Sequence, residues 1–121
     1  IAAVLIACGA DPNAENELGL TPLVFCRDGG VANILLGNGA RVNAATGTGL
    51  YAIHWVRSPS MTACMLAYGA DPNGKSDGSS KTPLFFARNL AMCETLVENG
   101  ADVDARDSSG KTPVMELWWR F

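Results

Sequence analysis

The sequence predicts an all-α fold, an α-solenoid of stacked helix-turn-helix units joined by hairpin loops. Three observations predict it. Gly9-Ala10-Asp11-Pro12-Asn13 returns as Gly39-Ala40-Arg41-Val42-Asn43, as Gly69-Ala70-Asp71-Pro72-Asn73 and as Gly100-Ala101-Asp102-Val103-Asp104, at steps of 30, 30 and 31 residues. A second phrase runs in phase with the first: Thr21-Pro22-Leu23, Thr82-Pro83-Leu84 and Thr112-Pro113-Val114, with Tyr51-Ala52-Ile53-His54 in the same place of the second unit. The stretch before each Gly-Ala is apolar, with Ile1, Ala2, Val4, Leu5 and Ile6 ahead of Gly9, and Val31, Ala32, Ile34, Leu35 and Leu36 ahead of Gly39. A fixed period of this size marks one supersecondary unit repeated in an array. Such arrays present extended surfaces to other molecules.

The 121 residues make one domain. Full units fall at 14–43, 44–73 and 74–104, with the end of a partial unit at 1–13 and a partial or capping unit at 105–121. The chain starts inside a unit, without an initiator Met, and is read as a piece of a longer protein. Hydrophobic content of 48% with 17% charge excludes a disordered chain. A net charge of −3 argues against nucleic acid, which wants a basic stripe. No apolar run reaches the 18 residues of a spanning helix. Ile1 to Cys8 lacks the basic leader and cleavage site of a signal peptide and matches the helix that precedes each Gly-Ala phrase.

Taken in order, each unit reads as a turn, a short inner helix, a turn, an outer helix, and a Gly-Ala turn into an extended loop. Pro22, Pro83 and Pro113 sit at the first helical position, where a missing N–H costs nothing. Thr21, Thr82 and Thr112 precede them as candidate caps. Tyr51-Ala52 breaks that rule, so the second inner helix is expected to be the least well started. Gly9, Gly39, Gly69 and Gly100 end the outer helices in left-handed backbone, and Gly37 weakens the first complete outer helix slightly. The core is expected from Leu35, Met61, Cys64, Met65, Leu66, Met92, Cys93, Leu96 and Val97 on the outer helices, and from Leu23, Phe25, Ile53, Trp55, Leu84 and Phe86 on the inner ones. The segment from Asn73 to Thr82 is one residue longer than its counterparts and reads as a hairpin tip. Met115 to Phe121 starts a fourth inner helix.

The paired phrases resemble the ankyrin repeat family, whose units combine Thr-Pro-Leu-His with a later Gly-Ala-Asp-Val-Asn. The resemblance covers nearly the whole chain, from Ile1 to about Trp118. Family units run about 33 residues, whereas these run about 30. The difference lies between the two helices of each unit, so the inner helix or its turn is expected to be short by about one helical turn. The resemblance implies a protein-protein interaction module that binds a partner protein or peptide on its concave face. It places the hairpin tips at Glu17, Leu18 and Leu20; at Gly47, Thr48 and Leu50; at Gly78, Ser79 and Lys81; and at Ser108, Ser109 and Lys111. Leu18, Leu20 and Leu50 either form an exposed apolar patch, which would mark a contact site, or pack on a neighbouring tip.

His54, the only histidine, has a catalytic reading as a general base near Cys26. The resemblance instead gives it the His place of the family motif, where the imidazole ties loop backbone together, and that reading is preferred. Glu15 and Glu17, and Asp102, Asp104 and Asp107, lack the Gly and the distant Glu of a calcium loop and are read as turn residues. Ala45 to Gly49 is not a phosphate loop, because no Gly-Lys-Ser/Thr follows. Arg27, Arg57 and Arg88 each lie six residues after the start of the second phrase. They form a ladder that either clamps an acidic or phosphorylated partner or bonds to the carbonyls at the inner-helix ends; the second reading is preferred. Cys8, Cys26, Cys64 and Cys93 have no zinc spacing, and buried thiols behave as small hydrophobes.

The chain is therefore expected to be no enzyme, to need no cofactor or metal, and to be monomeric by itself. It is expected in a reducing intracellular compartment, cytoplasmic or nuclear. Its partner residues are Glu17, Leu18, Leu20, Thr48, Leu50, Ser79 and Lys81 with Arg27, Arg57 and Arg88. The alternatives are a regulatory or substrate-presenting segment of a larger multidomain enzyme or effector, and a structural spacer.

Overall fold

A computed structural model describes residues 2–43, 52–56, 58–76 and 78–118. Among them, helices are the regular elements. The outer layer holds α1 (Ala2–Ala7), α2 (Gly29–Gly37), α3 (Pro59–Ala67) and α4 (Leu90–Glu98). The inner layer holds three single turns of 3₁₀ helix, η1 (Pro22–Phe25), η2 (Ala52–Trp55) and η3 (Pro83–Phe86), followed by α5 (Pro113–Leu117). Within the outer layer α1 packs on α2, α2 on α3 and α3 on α4, while η1, η2, η3 and α5 follow one another in the inner layer.

The short period is explained by the inner layer. Each of η1, η2 and η3 is only four residues long. A 3₁₀ helix serves well in such short pieces and repeats every three residues. That period decides what is buried: Leu23 with Cys26, Ile53 with Val56, and Leu84 with Ala87 are all in the core. Phe25, expected inside, is 63% exposed because it lies off the Leu23–Cys26 row, about a third of a turn away. In the third unit Phe85 is the fully buried aromatic, while Phe86 is half-buried. The Trp55 side chain and all of Tyr51 lie outside the described residues.

Thr21, Thr82 and Thr112 stand at the caps, yet none of their hydroxyls accepts a capping bond. The turn geometry explains this. The Thr21 and Thr82 carbonyls already accept from Val24 and Phe85 N–H at 3.1 Å each, and the proline at the first position has no N–H to offer. Side-chain capping falls to the outer helices instead. Asp28 accepts from Val31 N–H at 2.9 Å, Ser58 from Met61 at 3.3 Å and Asn89 from Met92 at 2.9 Å. Each such cap is worth about 1 kcal/mol.

All four outer helices end alike. Gly9, Gly39, Gly69 and Gly100 have φ between 92° and 97°. The following alanine N–H reaches back to the carbonyls of Leu5, Leu35, Met65 and Leu96 at 2.9 to 3.0 Å, and the glycine N–H to those of Ile6, Leu36, Leu66 and Val97. This paired closure satisfies carbonyls that the helix end would leave open. It turns the chain sharply out of the outer layer into the loop that leads to the next unit.

The core runs without interruption between the layers through Leu35, Leu36, Met61, Met65, Met92 and Leu96 of the outer helices. Cys64, Leu66 and Cys93 are half-buried against it, whereas Val97, expected inside, is 44% exposed. Two contacts fix α2 against α3. A Cβ on Gly29 would come within 3.2 Å of the Ser60 carbonyl oxygen, so the backbones approach as closely as glycine permits. Tyr68 Oη donates to Asn33 Oδ1 at 3.0 Å.

Candidate functional site

The loops that carry the expected contact residues are held by side chains at their bases. In the first hairpin Asn16 Oδ1 accepts from Leu18 N–H at 2.9 Å and Leu20 N–H at 3.0 Å. In the last, Asp107 Oδ1 accepts from Ser109 and Lys111 N–H, both at 2.9 Å. Such local bonds let Asn and Asp build turns without help from the rest of the fold. The longer third hairpin uses Ser76 in the same place. Its hydroxyl accepts from Lys81 N–H at 3.1 Å and lies 2.7 Å from Ser79 Oγ. Gly19, Gly78 and Gly110 take the left-handed positions at the tips.

A ladder of asparagines joins the units. Asn13 Nδ2 donates to the Gly39 carbonyl at 2.9 Å, and its Oδ1 accepts from Arg41 N–H at 2.7 Å. Asn43 repeats the pair on Gly69 and Asp71 at 3.0 and 3.1 Å. Asn73 repeats it on Gly100 and Asp102 at 2.9 and 2.7 Å. Each amide thus clamps its own loop to the end of the next outer helix, which fixes the spacing of the hairpin row. The sequence showed these residues as part of a recurring phrase, but it did not show that the amide works at both ends.

His54 is buried, and its Nε2 lies 2.9 Å from the Gly74 carbonyl and 3.2 Å from that of Lys81. A donating Nε2–H holds both ends of the third hairpin from the unit before it. Phe86 packs edge-on against the ring, with centroids 5.5 Å apart. The imidazole is therefore tied to loop backbone, as the sequence reading preferred.

Among the expected partner residues, Glu17 is exposed, Leu18 is 69% exposed and Leu20 is half-buried. Ser79 faces the next loop, where its carbonyl accepts from Ser108 N–H at 2.8 Å. Lys81 is engaged within the chain, because its Nζ lies 3.0 Å from Glu116 Oε1 on α5. This pair went unforeseen in the sequence, since it joins residues 35 apart. Thr48, Leu50 and Arg57 lie outside the described residues. Arg27 and Arg88 are exposed, and neither guanidinium has a hydrogen bond or ion pair among the described residues. The preferred reading, a bond to inner-helix carbonyls, is therefore not what these two make. Leu23 O accepts from Cys26 N–H and Leu84 O from Ala87 N–H instead.

Two of the acids expected in turns serve there through their side chains. Asp102 Oδ1 accepts from Asp104 N–H at 2.9 Å, and Asp107 closes the last hairpin. Glu15 and Glu17 are exposed. Among the described residues no group of three or more His, Cys, Asp or Glu is placed to hold a metal ion, and no helix is long and apolar enough to cross a membrane. Cys8 is exposed and Cys26 buried, with Cys64 and Cys93 between. Burial pushes the Cys26 thiol above its usual pKa, with the nearby Asp28 carboxylate and Cys64 adding to the shift. Burial also raises Cys64 and Cys93.

A groove of about 390 Å³ opens between α1 and η1, lined by Leu5, Ile6, Pro22, Phe25 and Arg27 among others.

Comparison with known proteins agrees with this geometry. The family model described as Ankyrin repeat matches residues 80–108. Rat "Arf-GAP with coiled-coil, ANK repeat and PH domain-containing protein 2" is 39% identical over 72 residues, covering 56% of this chain and 9% of that protein. The human protein of the same name is 38% identical over 72 residues. A putative ankyrin repeat protein of fowlpox virus is 30% identical over 104 residues, covering 78% of this chain and 24% of the viral one. The chain belongs to the ankyrin repeat family. It spans only about a tenth to a quarter of the length of these relatives.

Proposed function

We propose that this chain is a protein-protein interaction module whose hairpin row and inner face seat a partner protein or peptide. The observation that carries the reading is the build of that row. Its loops are pinned by Asn16, Ser76 and Asp107 and spaced by Asn13, Asn43 and Asn73, while Leu18 stands 69% exposed at a tip. A rigid scaffold that displays an unburied apolar side chain is suited to recognition, because little ordering remains to oppose binding. Glu17, Leu18 and Leu20 form the first contact segment. Ser108, Ser109 and Lys111 form the last, and Thr48 and Leu50 take the same places in the second unit by sequence. Lys81 acts by holding α5 through Glu116. No residue is assigned a catalytic role, and no cofactor. A net charge of −3 favours a protein partner over nucleic acid or an anionic membrane. Four cysteines without a disulfide fit a reducing compartment inside the cell.

A second reading rests on the names of the relatives. The Arf-GAP proteins carry coiled-coil and PH regions beside their repeats, so the array would serve as a docking or regulatory arm of a larger protein. Both readings require the hairpin row to bind.

The test is affinity capture from cell lysate, with mass spectrometry, on three folded proteins: the parent, Leu18→Ser with Lys111→Glu, and the outer-face variant Glu94→Lys. A protein retained by the parent and the outer-face variant but lost from the tip variant supports the reading. A protein lost only from Glu94→Lys moves the site to the outer helices and overturns it.

A further inference from the structure

We propose that the edge bearing Arg27 and Arg88 is a second interaction surface, and that it takes an extended peptide segment of a partner protein carrying regularly spaced anionic side chains. It is separate from the hairpin row, since each arginine follows the far end of an inner turn from its hairpin. The two residues occupy the same place in units one and three, two positions after Phe25 and Phe86. Both are exposed, with no hydrogen bond or ion pair among the described residues. The structural work available to a cation at that place is already done, because the carbonyls of Leu23 and Leu84 are taken by backbone N–H groups and that of Pro22 by the Cys26 thiol. Nor is the neighbouring acid a competitor of full strength, for Asp28 Oδ1 is held by Val31 N–H as a helix cap. Arginine's planar fork matches carboxylate and phosphate oxygens in pairs.

The stacking sets the spacing. Packed helices lie about 8–10 Å apart, so two steps along the array put the guanidinium-bearing positions roughly 16–20 Å apart. An extended chain rises about 3.3 Å per residue, which separates the two anionic side chains by about six residues. One step further, the same place in the last unit is filled by Trp118, 71% exposed. The segment that fits carries an acidic residue or phosphoserine at i and i+6 and an apolar residue at about i+9. Arg57 shares this place by sequence, but the proposal does not depend on it. A single line of cations ending in an aromatic, on a chain of net charge −3, suits a peptide better than a membrane surface.

The test is fluorescence anisotropy with labelled peptides on the whole chain. One peptide has Glu at i and i+6 with Leu at i+9, one has phosphoserine in place of Glu, and one has the same composition with the acids adjacent. The spaced peptides are expected to bind more tightly than the rearranged one, and more weakly as salt rises. Arg27→Gln with Arg88→Gln should weaken them by about two- to fivefold per guanidinium removed, with the thermal unfolding curve unchanged. The tighter of the Glu and phosphoserine peptides identifies the anion. Leu18→Ser should leave this binding intact, so the hairpin-row reading fails or stands separately. Equal binding of the rearranged peptide, no loss in the double arginine variant, or binding only to phosphatidylserine vesicles would each overturn the proposal.

Discussion

Asn73 commits both ends of one side-chain amide to the next unit, and this shows how much of the array rests on single atoms. In Asn73→Asp the Oδ1 acceptor for Asp102 N–H is kept, while the donor to the Gly100 carbonyl is lost and a charged oxygen faces that carbonyl in its place. A net hydrogen bond is worth about 1 kcal/mol, and a facing acceptor adds to its loss. The variant should be less stable by about 1–2 kcal/mol, seen as a lower urea midpoint with unchanged slope. A protonated carboxyl regains one donor, so the deficit relative to the parent should narrow toward about pH 4. The thiols offer a second check. The thiolate is the reactive form, and burial raises the pKa of Cys26, Cys64 and Cys93. At pH 8 a maleimide should label exposed Cys8 first, and the other three should catch up as pH rises. Cys26 labelling as fast as Cys8 would contradict its place in the core. At this scale the sequence was legible where a residue type has one job, as with His54 and the glycines. It was less so for the arginines, where only the structure shows which carbonyls are already taken.

Elements were legible in kind more than in geometry. The phase of the two phrases located the helices, and the missing residues per unit pointed to a short inner helix or a short turn after it, of which the structure shows the first. Their conversion to 3₁₀ turns was not foreseen, and it changes which side chains point inward: Leu23 and Cys26 rather than Leu23 and Phe25. The third hairpin shows a related effect. It is one residue longer than its counterparts, and it needs a second left-handed residue, Ser80 at φ 53°, besides Gly78 at 76°. Left-handed backbone costs a non-glycine residue about 1–2 kcal/mol, and glycine loses about 0.5–1 kcal/mol of this advantage through its freer unfolded chain. Ser80→Gly should therefore stabilise the protein by roughly 0.5 kcal/mol. Thermal unfolding checks the sign, and a lower midpoint would mean that Ser80 makes a contact worth more than its strain.

At the scale of the molecule, stability follows position in the stack. Each unit touches only its neighbours, so an inner unit is held from two sides and an outer one from one side. Met65 on α3 is 1% exposed between α2 and α4. Leu5 on α1 is 54% exposed, and α1 packs only on α2 within its layer. Met65→Ala should cost about 2–5 kcal/mol, because the cavity it leaves cannot close without moving both neighbours. Leu5→Ala should cost less than about 1 kcal/mol, as solvent already covers half of the side chain. The first loss is a large share of the 5–15 kcal/mol that holds a typical domain. Hydrogen exchange should follow the same order, with α3 amides the most protected and those of α1 and α5 opening first. Equal protection along the array would mean that the stack unfolds only as a whole. Graded protection would mean that the middle unit keeps the hairpin row in place while the ends fray, and that a partner seated across several hairpins stabilises the ends as well as binding them.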